Sequence, residues 1–257
     1  MSGLPDESCD LIYADPPFNS NRRVVRQSNP AMHFEDRYDG GLSGYLDFLR
    51  PRIVQMHRLL APSGTMYVHL DWRTAHYVKV MLDELFGAEN FLNEIIWRYR
   101  SGGHPGRWFA RKHDTILSYA RCAGRHRFNQ LRGEPYRTQD LLFDDDGRPY
   151  KSTRKGRVHF HRDGGVLSDV WDIPFLSTVS KERTSYPTQK PEALIERIVL
   201  ASSNPGELIA DFFCGSGTTL AVARRLGRRF LGCDDNPAAV DLTIRRLGLK
   251  PHEDSRL

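Results

Sequence analysis

The run Leu11-Ile-Tyr-Ala-Asp-Pro-Pro-Phe-Asn19 constrains this chain more than any other stretch. Leu11 to Ala14 is apolar and reads as a short buried strand. Neither Pro16 nor Pro17 has an N–H to offer a sheet ladder, so the chain must leave the sheet after Asp15. The result is a rigid elbow at the carboxyl end of a strand. It presents the Asp15 carboxylate, the Pro16 carbonyl and the Phe18 ring. In open α/β sheets that edge is where ligands bind.

Periodicity organises the rest. Leu46, Leu49, Ile53, Met56 and Leu60 recur at spacings of three and four, so 42–60 reads as a helix, kinked by Pro51 and ended by Pro62-Ser-Gly64. Thr65–Leu70 reads as a strand, and 74–86 as a helix with Val78, Met81, Leu82 and Leu85 on one face. Residues 93–99 and 114–119 read as two strands with no helix between them, an antiparallel pair at one edge. Alternating β and α elements argue for an α/β fold with a mostly parallel sheet. Between the elbow and the first helix, 19–41 reads as a long polar loop with Arg22, Arg23 and Arg26, a candidate lid. The Gly-rich stretch 100–109 is a second basic and aromatic loop.

A second motif lies near the carboxyl terminus. Pro191 suits the first turn of a helix over 192–202, where its missing N–H is harmless. Lys190, at that helix start, opposes the macrodipole preference for anions, which suggests that it meets a carboxylate. Residues 207–212 form a strand, followed by Asp211-Phe-Phe-Cys-Gly-Ser-Gly-Thr-Thr219. Gly215 and Gly217 permit a tight turn before a helix beginning at Thr218. This is the strand, glycine turn and helix of a nucleotide-binding crossover, but the third glycine of G-x-G-x-x-G is missing. Asp211 beside the turn suits a cationic amino-acid headgroup better than a pyrophosphate. The next strand, 229–233, ends at Asp234, where an acidic residue usually meets ribose hydroxyls.

Net charge is +5, and Arg and Lys crowd residues 98–162. That distribution favours a polyanionic partner. From 121 to 170 the periodicity breaks down into a basic, Gly- and Asp-containing segment. The expected organisation is therefore 1–120, an insertion over 121–170, and 171–257 completing the first domain. No apolar run approaches a membrane span, and Met1 to Asp10 has no signal-peptide character. Cys9, Cys122, Cys214 and Cys233 form no C-x-x-C pair, so a metal site is not expected and reduced thiols in a cytoplasm are the simplest account.

Asp15-Pro16-Pro17-Phe18 resembles the DPP(Y/F/W) motif of amino-methylating DNA methyltransferases. Phe213-Cys-Gly-Ser-Gly217 resembles their FxGxG motif, and Thr188-Gln-Lys-Pro191 the helix-entry motif before it. The catalytic motif precedes the cofactor motif, an order similar to the β class. The resemblance spans about residues 5–247 and implies a Rossmann-like class I methyltransferase with circularly permuted motifs. It also implies S-adenosylmethionine as cofactor, double-stranded DNA as substrate, a target-recognition role for 121–170 and a possible homodimer. Carried over by match, Asp15, Pro16, Pro17 and Phe18 are catalytic. In that chemistry a carboxylate and a carbonyl accept the N–H bonds of an exocyclic amine and draw its delocalised lone pair toward a nucleophilic shape.

The cofactor would be held by Asp15, Thr188, Gln189, Lys190, Asp211, Phe212, Phe213, Cys214, Gly215, Ser216, Gly217, Thr218 and Asp234. Among these, Lys190 and Thr188 would take the methionine carboxylate. DNA contacts are expected from Arg22, Arg23, Arg107, Arg111, Lys112, Arg154 and Lys155. Asp-Pro-Pro goes mostly with adenine N6, and the target base must leave the duplex stack. Cytosine C5 chemistry is excluded because no Pro-Cys dipeptide exists. A cytosine-N4 enzyme, an RNA amino-methyltransferase, an inactive nucleic-acid-binding subunit and an oxidoreductase are the rivals. The family's usual Gly-Asp strand before the elbow has no counterpart here, so either the chain is shortened or the sheet lacks that edge strand.

Overall fold

The computed structural model describes residues 1–26, 29–99, 103, 105–136, 141–177, 179–184 and 186–250, with backbone alone at 23–26 and 29–35. The side chains of Arg23 and Arg26, and positions 100–102 and 104 of the glycine-rich loop, therefore lie outside what is described.

The chain opens with β1 (Cys9–Ala14), the hairpin β2 (Arg22–Arg26) and β3 (Asn29–Asp36), and α1 (Leu42–Leu59). Then come β4 (Leu60–Leu70), α2 (Ala75–Phe86), β5 (Phe91–Arg98) and β6 (His113–Ala120). Five short strands follow: β7 (Arg132–Glu134), β8 (Leu142–Phe143), β9 (Pro149–Thr153), β10 (Gly156–His159) and β11 (Gly165–Val166). The last segment is β12 (Val170–Asp172), α3 (Glu192–Ser202), β13 (Leu208–Asp211), α4 (Thr218–Arg225), β14 (Arg229–Gly232) and α5 (Pro237–Leu247).

Seven strands form one sheet in the order β12-β5-β6-β4-β1-β13-β14. The run β4-β1-β13-β14 is parallel, β6 is antiparallel to both β4 and β5, and β12 lies parallel to β5. The antiparallel pair is where the sequence predicts it, but one strand in from the edge. Three residues returning from the 121–170 segment supply the outermost strand, too short to announce themselves by periodicity. At the other side β14 is the edge strand among the described residues.

β1 shows how the sheet becomes a sandwich. Its side chains alternate: Ile12 and Ala14 join the core under α1 and α2, whereas Leu11 and Tyr13 join the core under α3 and α4. Both faces are covered, which is why the strand reads as a continuous apolar run. Leu49, Ile53 and Met56 of α1 are fully buried against the first face, and Leu194, Ile198 and Val222 against the second. Each such side chain contributes roughly 1.5–3 kcal/mol of burial. α1 runs through Pro51, which sits on its exposed side.

The polar loop expected over 19–41 is instead largely the β2–β3 hairpin. Its charged sequence hides the alternation, and tertiary anchoring decides the outcome. Asp36, at the end of β3, accepts hydrogen bonds from the backbone N–H groups of Asn19 and Ser20 at 2.7 and 2.8 Å. Asn19 and Asn21 take left-handed φ values of 54° and 57°, a conformation asparagine tolerates well.

The 121–170 segment is ordered into two small sheets, β10-β9-β8 and β11-β7. Its root is stapled to α3: Asn129 Nδ2 donates to the carbonyls of Leu200 and Ser203, and Arg127 pairs with Glu207 at 2.8 Å. No described helix is long and apolar enough to cross a membrane.

Candidate active site

Each of the four adjacent parallel strands ends at an aspartate. β4 leads into Asp71, β1 into Asp15 and β14 into Asp234, while Asp211 closes β13. With parallel strands in register, these carboxylates gather along one edge of the sheet. They line one cleft, together with Asp36 and Asp235. Against these six acids the lining offers two cations, Lys190 and Arg73. A markedly acidic cleft thus sits in a basic protein. Such a cleft attracts a cationic ligand and repels bulk polyanion.

The two cations are already engaged. Arg73 forms an ion pair with Asp71 and also donates its backbone N–H to it at 2.8 Å. Lys190 forms an ion pair with Asp15 Oδ2, the two side chains being 10% and 17% exposed. The carboxylate that Lys190 was expected to meet is therefore, in the protein itself, Asp15. The other oxygen of Asp15, Oδ1, is buried and has no hydrogen-bond partner among the described residues. A bare buried acceptor is costly, so its presence in a cleft is informative. Phe18 lines the cleft half-buried, with Lys190 Nζ 5.2 Å from its ring centre.

The glycine turn makes the other wall. Asp211 accepts the N–H of Phe213 at 3.0 Å and a hydrogen bond from Thr219, but no cation pairs with it among the described residues. Burial pushes its carboxyl up to about 7, and the nearby charges of Asp15 and Asp234 act in the same direction. Asp234 receives the N–H of Gly215 at 2.8 Å and of Asn236 at 3.0 Å, and burial raises its pKa as well. The neighbouring Asp235 raises it further. Gly215 takes φ +48°, and a Cβ there would lie 2.8 Å from the Tyr186 ring. The backbone and this ring approach so closely that only glycine fits. Arg246 from α5 braces the turn by donating to Ser216 O and Thr218 Oγ1, both at 3.0 Å.

Of the site residues expected from the sequence, Asp15, Pro16, Pro17, Phe18, Thr188, Gln189, Lys190, Asp211, Phe213, Cys214, Gly215, Ser216, Thr218 and Asp234 all line this cleft. Phe212 does not: it is buried in the core beneath α1 and α2. Gly217 caps α4 with φ +71° outside the lining. Gln189 is buried, and its amide is spent on the preceding loop, accepting from Thr184 and donating to Glu182 O. Sequence reasoning missed Asp36, Asp71, Arg73 and Tyr186. For Asp71 a signal exists: Leu70-Asp71 repeats the pattern of an apolar run ending in aspartate that marks Asp15.

The basic residues divide. Arg111 lies 3.8 Å over the Trp72 ring, next to the cleft residues Asp71 and Arg73, with Trp108 on its other side at 5.7 Å. Arg107 is exposed in the same loop, and Lys112 donates to Gly103 O. Arg22 is exposed at the start of β2. Arg154 and Lys155 are exposed in the turn joining β9 and β10, outside the cleft lining. The described residues contain no group of acidic, His and Cys side chains arranged to hold a metal ion.

A family profile described as DNA methylase matches residues 9–245. The chain is 31% identical to the DNA adenine methyltransferase YhdJ of Escherichia coli, covering 98% of this chain and 80% of that one. It is 30% identical to the Type II methyltransferase M.HpaI of Haemophilus parainfluenzae, covering 96% and 70%. The crystal structure of the M1.HpyAVI–SAM complex shares the fold, with a TM-score of 0.62 at 21% identity over 96% of this chain and 91% of the other.

Proposed function

The chain belongs to the DNA methylase family, and on that premise we propose that it transfers a methyl group from S-adenosylmethionine to the N6 amine of a flipped-out adenine in DNA. The observation that carries the reading is Asp15, with one oxygen fixed by Lys190 and the other left bare in an acidic cleft.

The residues present fit the cofactor. Its cationic end suits Asp211, with which no described cation pairs, and its ribose suits the Asp234 carboxylate just past β14. Lys190 has two further N–H donors after binding Asp15, enough to reach the methionine carboxylate as well. When bound, S-adenosylmethionine supplies a methyl group activated by the sulfonium charge.

The protein's part is alignment and charge. Asp15 Oδ1 accepts one N–H of the amine and the Pro16 carbonyl the other, which draws the nitrogen lone pair out of conjugation. Phe18 holds the base by stacking. Positive charge that develops on the amine nitrogen as it takes up the methyl group would be stabilised by Asp15, which would also receive the departing proton. Oriented in this way, the groups need no covalent enzyme intermediate.

DNA must approach an acidic cleft, so cations are needed around it. The Trp72–Arg111 stack, with Trp72 between the cleft residues Asp71 and Arg73, and the exposed Arg107 of the same loop as Arg111 fit phosphate contact and filling of the gap left by the flipped base. Residues 121–170, with Arg154 and Lys155 at the β9–β10 tip, are the recognition segment in this reading. Work on DNA with four free cysteines suits a reducing cytoplasm. A homodimer rests on the resemblance alone, and sedimentation velocity tests it. The test of function is a transfer assay with methyl-labelled S-adenosylmethionine on duplex DNA and on structured RNA. Label in duplex DNA is expected; label confined to RNA overturns the reading.

A further inference from the structure

Beneath the elbow runs a line of buried polar side chains to which methyl transfer gives no task. Tyr13 Oη and His69 Nδ1 are 2.7 Å apart, His69 Nε2 is 3.2 Å from Asp114 Oδ2, and Tyr99 donates to Asp114 Oδ1 at 2.9 Å. Tyr13 lies on β1, His69 on β4 and Asp114 on β6, and Tyr99 follows β5, so the line crosses four neighbouring strands. His69 is fully buried. Apolar side chains would fill this space at lower cost, because buried polar groups only break even when fully paired.

Both ring nitrogens of His69 are engaged, Nε2 with Asp114 and Nδ1 with the Tyr13 hydroxyl. Burial works against the charge of Asp114, but the hydrogen bond and charge of His69, the Lys190 charge and the Tyr99 hydrogen bond prevail and hold its carboxyl below the usual range. The imidazole plane is thereby fixed at two points. One neighbour of that plane is Trp97, edge-on at 5.4 Å. The other is Phe18, whose ring centre is 5.8 Å away and tilted by 31°. The ring that would stack the target base therefore rests on an imidazole oriented by hydrogen bonds.

We propose that His69, held by Tyr13 and Asp114, is a positioning residue that sets the tilt of Phe18 and so the approach of the base's amine to Asp15. The inference rests on the proposed transfer to adenine. His69 does not line the cleft and acts only through Phe18. A bracket serving the core alone would change thermal stability and leave the kinetics of the folded enzyme untouched. A positioning residue lowers kcat/KM for DNA at unchanged cofactor affinity, and only while Phe18 is present.

The experiment compares wild type, His69→Gln, Tyr13→Phe, Phe18→Ala and both double variants with Phe18→Ala. N6-methyladenine formation on unmethylated genomic DNA gives kcat and KM, and calorimetry gives cofactor affinity. We expect His69→Gln to lose roughly tenfold or more in kcat/KM, in line with the sensitivity of transfer to small misplacements, with cofactor affinity within about twofold. Tyr13→Phe should show a smaller loss of the same kind. Neither double variant should fall more than about twofold below Phe18→Ala alone, because the losses share one route. Losses that multiply, or a folded His69→Gln enzyme with full kcat/KM, overturn the proposal. If His69→Gln does not fold, the Tyr13→Phe cycle decides by the same criterion. A wild-type enzyme that methylates no adenine overturns the functional reading and the inference with it, whereas multiplying losses in an active enzyme overturn the inference alone.

Discussion

Asp15 and Asp211 end neighbouring parallel strands in one cleft, yet their surroundings differ. Asp15 has a counter-charge built into the protein, and one oxygen left bare. Asp211 has hydrogen bonds from Phe213 and Thr219 and no cation among the described residues, and burial pushes its carboxyl up to about 7. A carboxylate supplied with a lysine is ready for chemistry that needs an anion in the resting protein. A carboxylate without one is completed by a cationic ligand. In the proposed reaction the contrast separates the two halves of the cleft: the β1 elbow would handle the acceptor amine, and the β13 turn would receive the positive end of the cofactor.

Asp15→Ala should break the contrast most severely. Transfer falls by at least about a hundredfold, the scale for removing a group that stabilises developing charge, while cofactor affinity by calorimetry stays within a few-fold. Near-normal turnover would remove the elbow from the mechanism. Lys190→Ala separates two tasks. Turnover at saturating cofactor should drop roughly tenfold or more through a misplaced Asp15, and cofactor affinity should weaken as well. Unchanged affinity would strike out the methionine-carboxylate contact, and unchanged turnover would strike out the service to Asp15.

Asp211→Asn sharpens the other half through pH. In the free protein Asp211 binds a proton below about pH 7, and a cationic ligand requires that proton to leave. Wild-type affinity should therefore rise with pH up to about 7 and then level, with proton release on binding below that point. The variant should lose this slope and bind several-fold more weakly at pH 8. The stability sign is opposite. A carboxyl raised on folding destabilises the ligand-free protein progressively from about pH 4 to 7, so the variant should melt higher than wild type at pH 8 and equally near pH 4. A pH-independent wild-type affinity would contradict the assignment. The smallest effect is expected far from the contrast. Replacing Arg154 and Lys155 by Ala should weaken DNA binding a few-fold and make its salt dependence shallower, by about one in the log–log slope for each phosphate no longer neutralised. Transfer at saturating DNA should be unchanged.

The elbow and the glycine turn were legible in the sequence because prolines and glycines act on the chain locally. Helix α3 matches its sequence reading over 192–202 for the same reason, Pro191 standing at its start. What escaped depended on partners distant in the chain. The β2–β3 hairpin reads as loop until Asp36 is seen holding Asn19 and Ser20. β12 is three residues whose strand character comes from pairing with β5. α5 went unread in the sequence, although Asn236, Pro237 and Gly248 bound it with a cap, a first-turn proline and a left-handed stop at φ +59°. The position of Lys190 implied a carboxylate, but its sequence could not say that the partner lay 175 residues away. The recognition role proposed for 121–170 is the least legible, because phosphate contacts and base contacts draw on the same polar residues.

The most direct test of the central claim is to let the wild-type protein transfer a labelled methyl group to unmethylated genomic DNA and to identify the product nucleoside by mass spectrometry. The account predicts label on N6-methyladenine. Label on N4-methylcytosine, in a protein whose elbow carries Asp15 opposite Lys190, would contradict it.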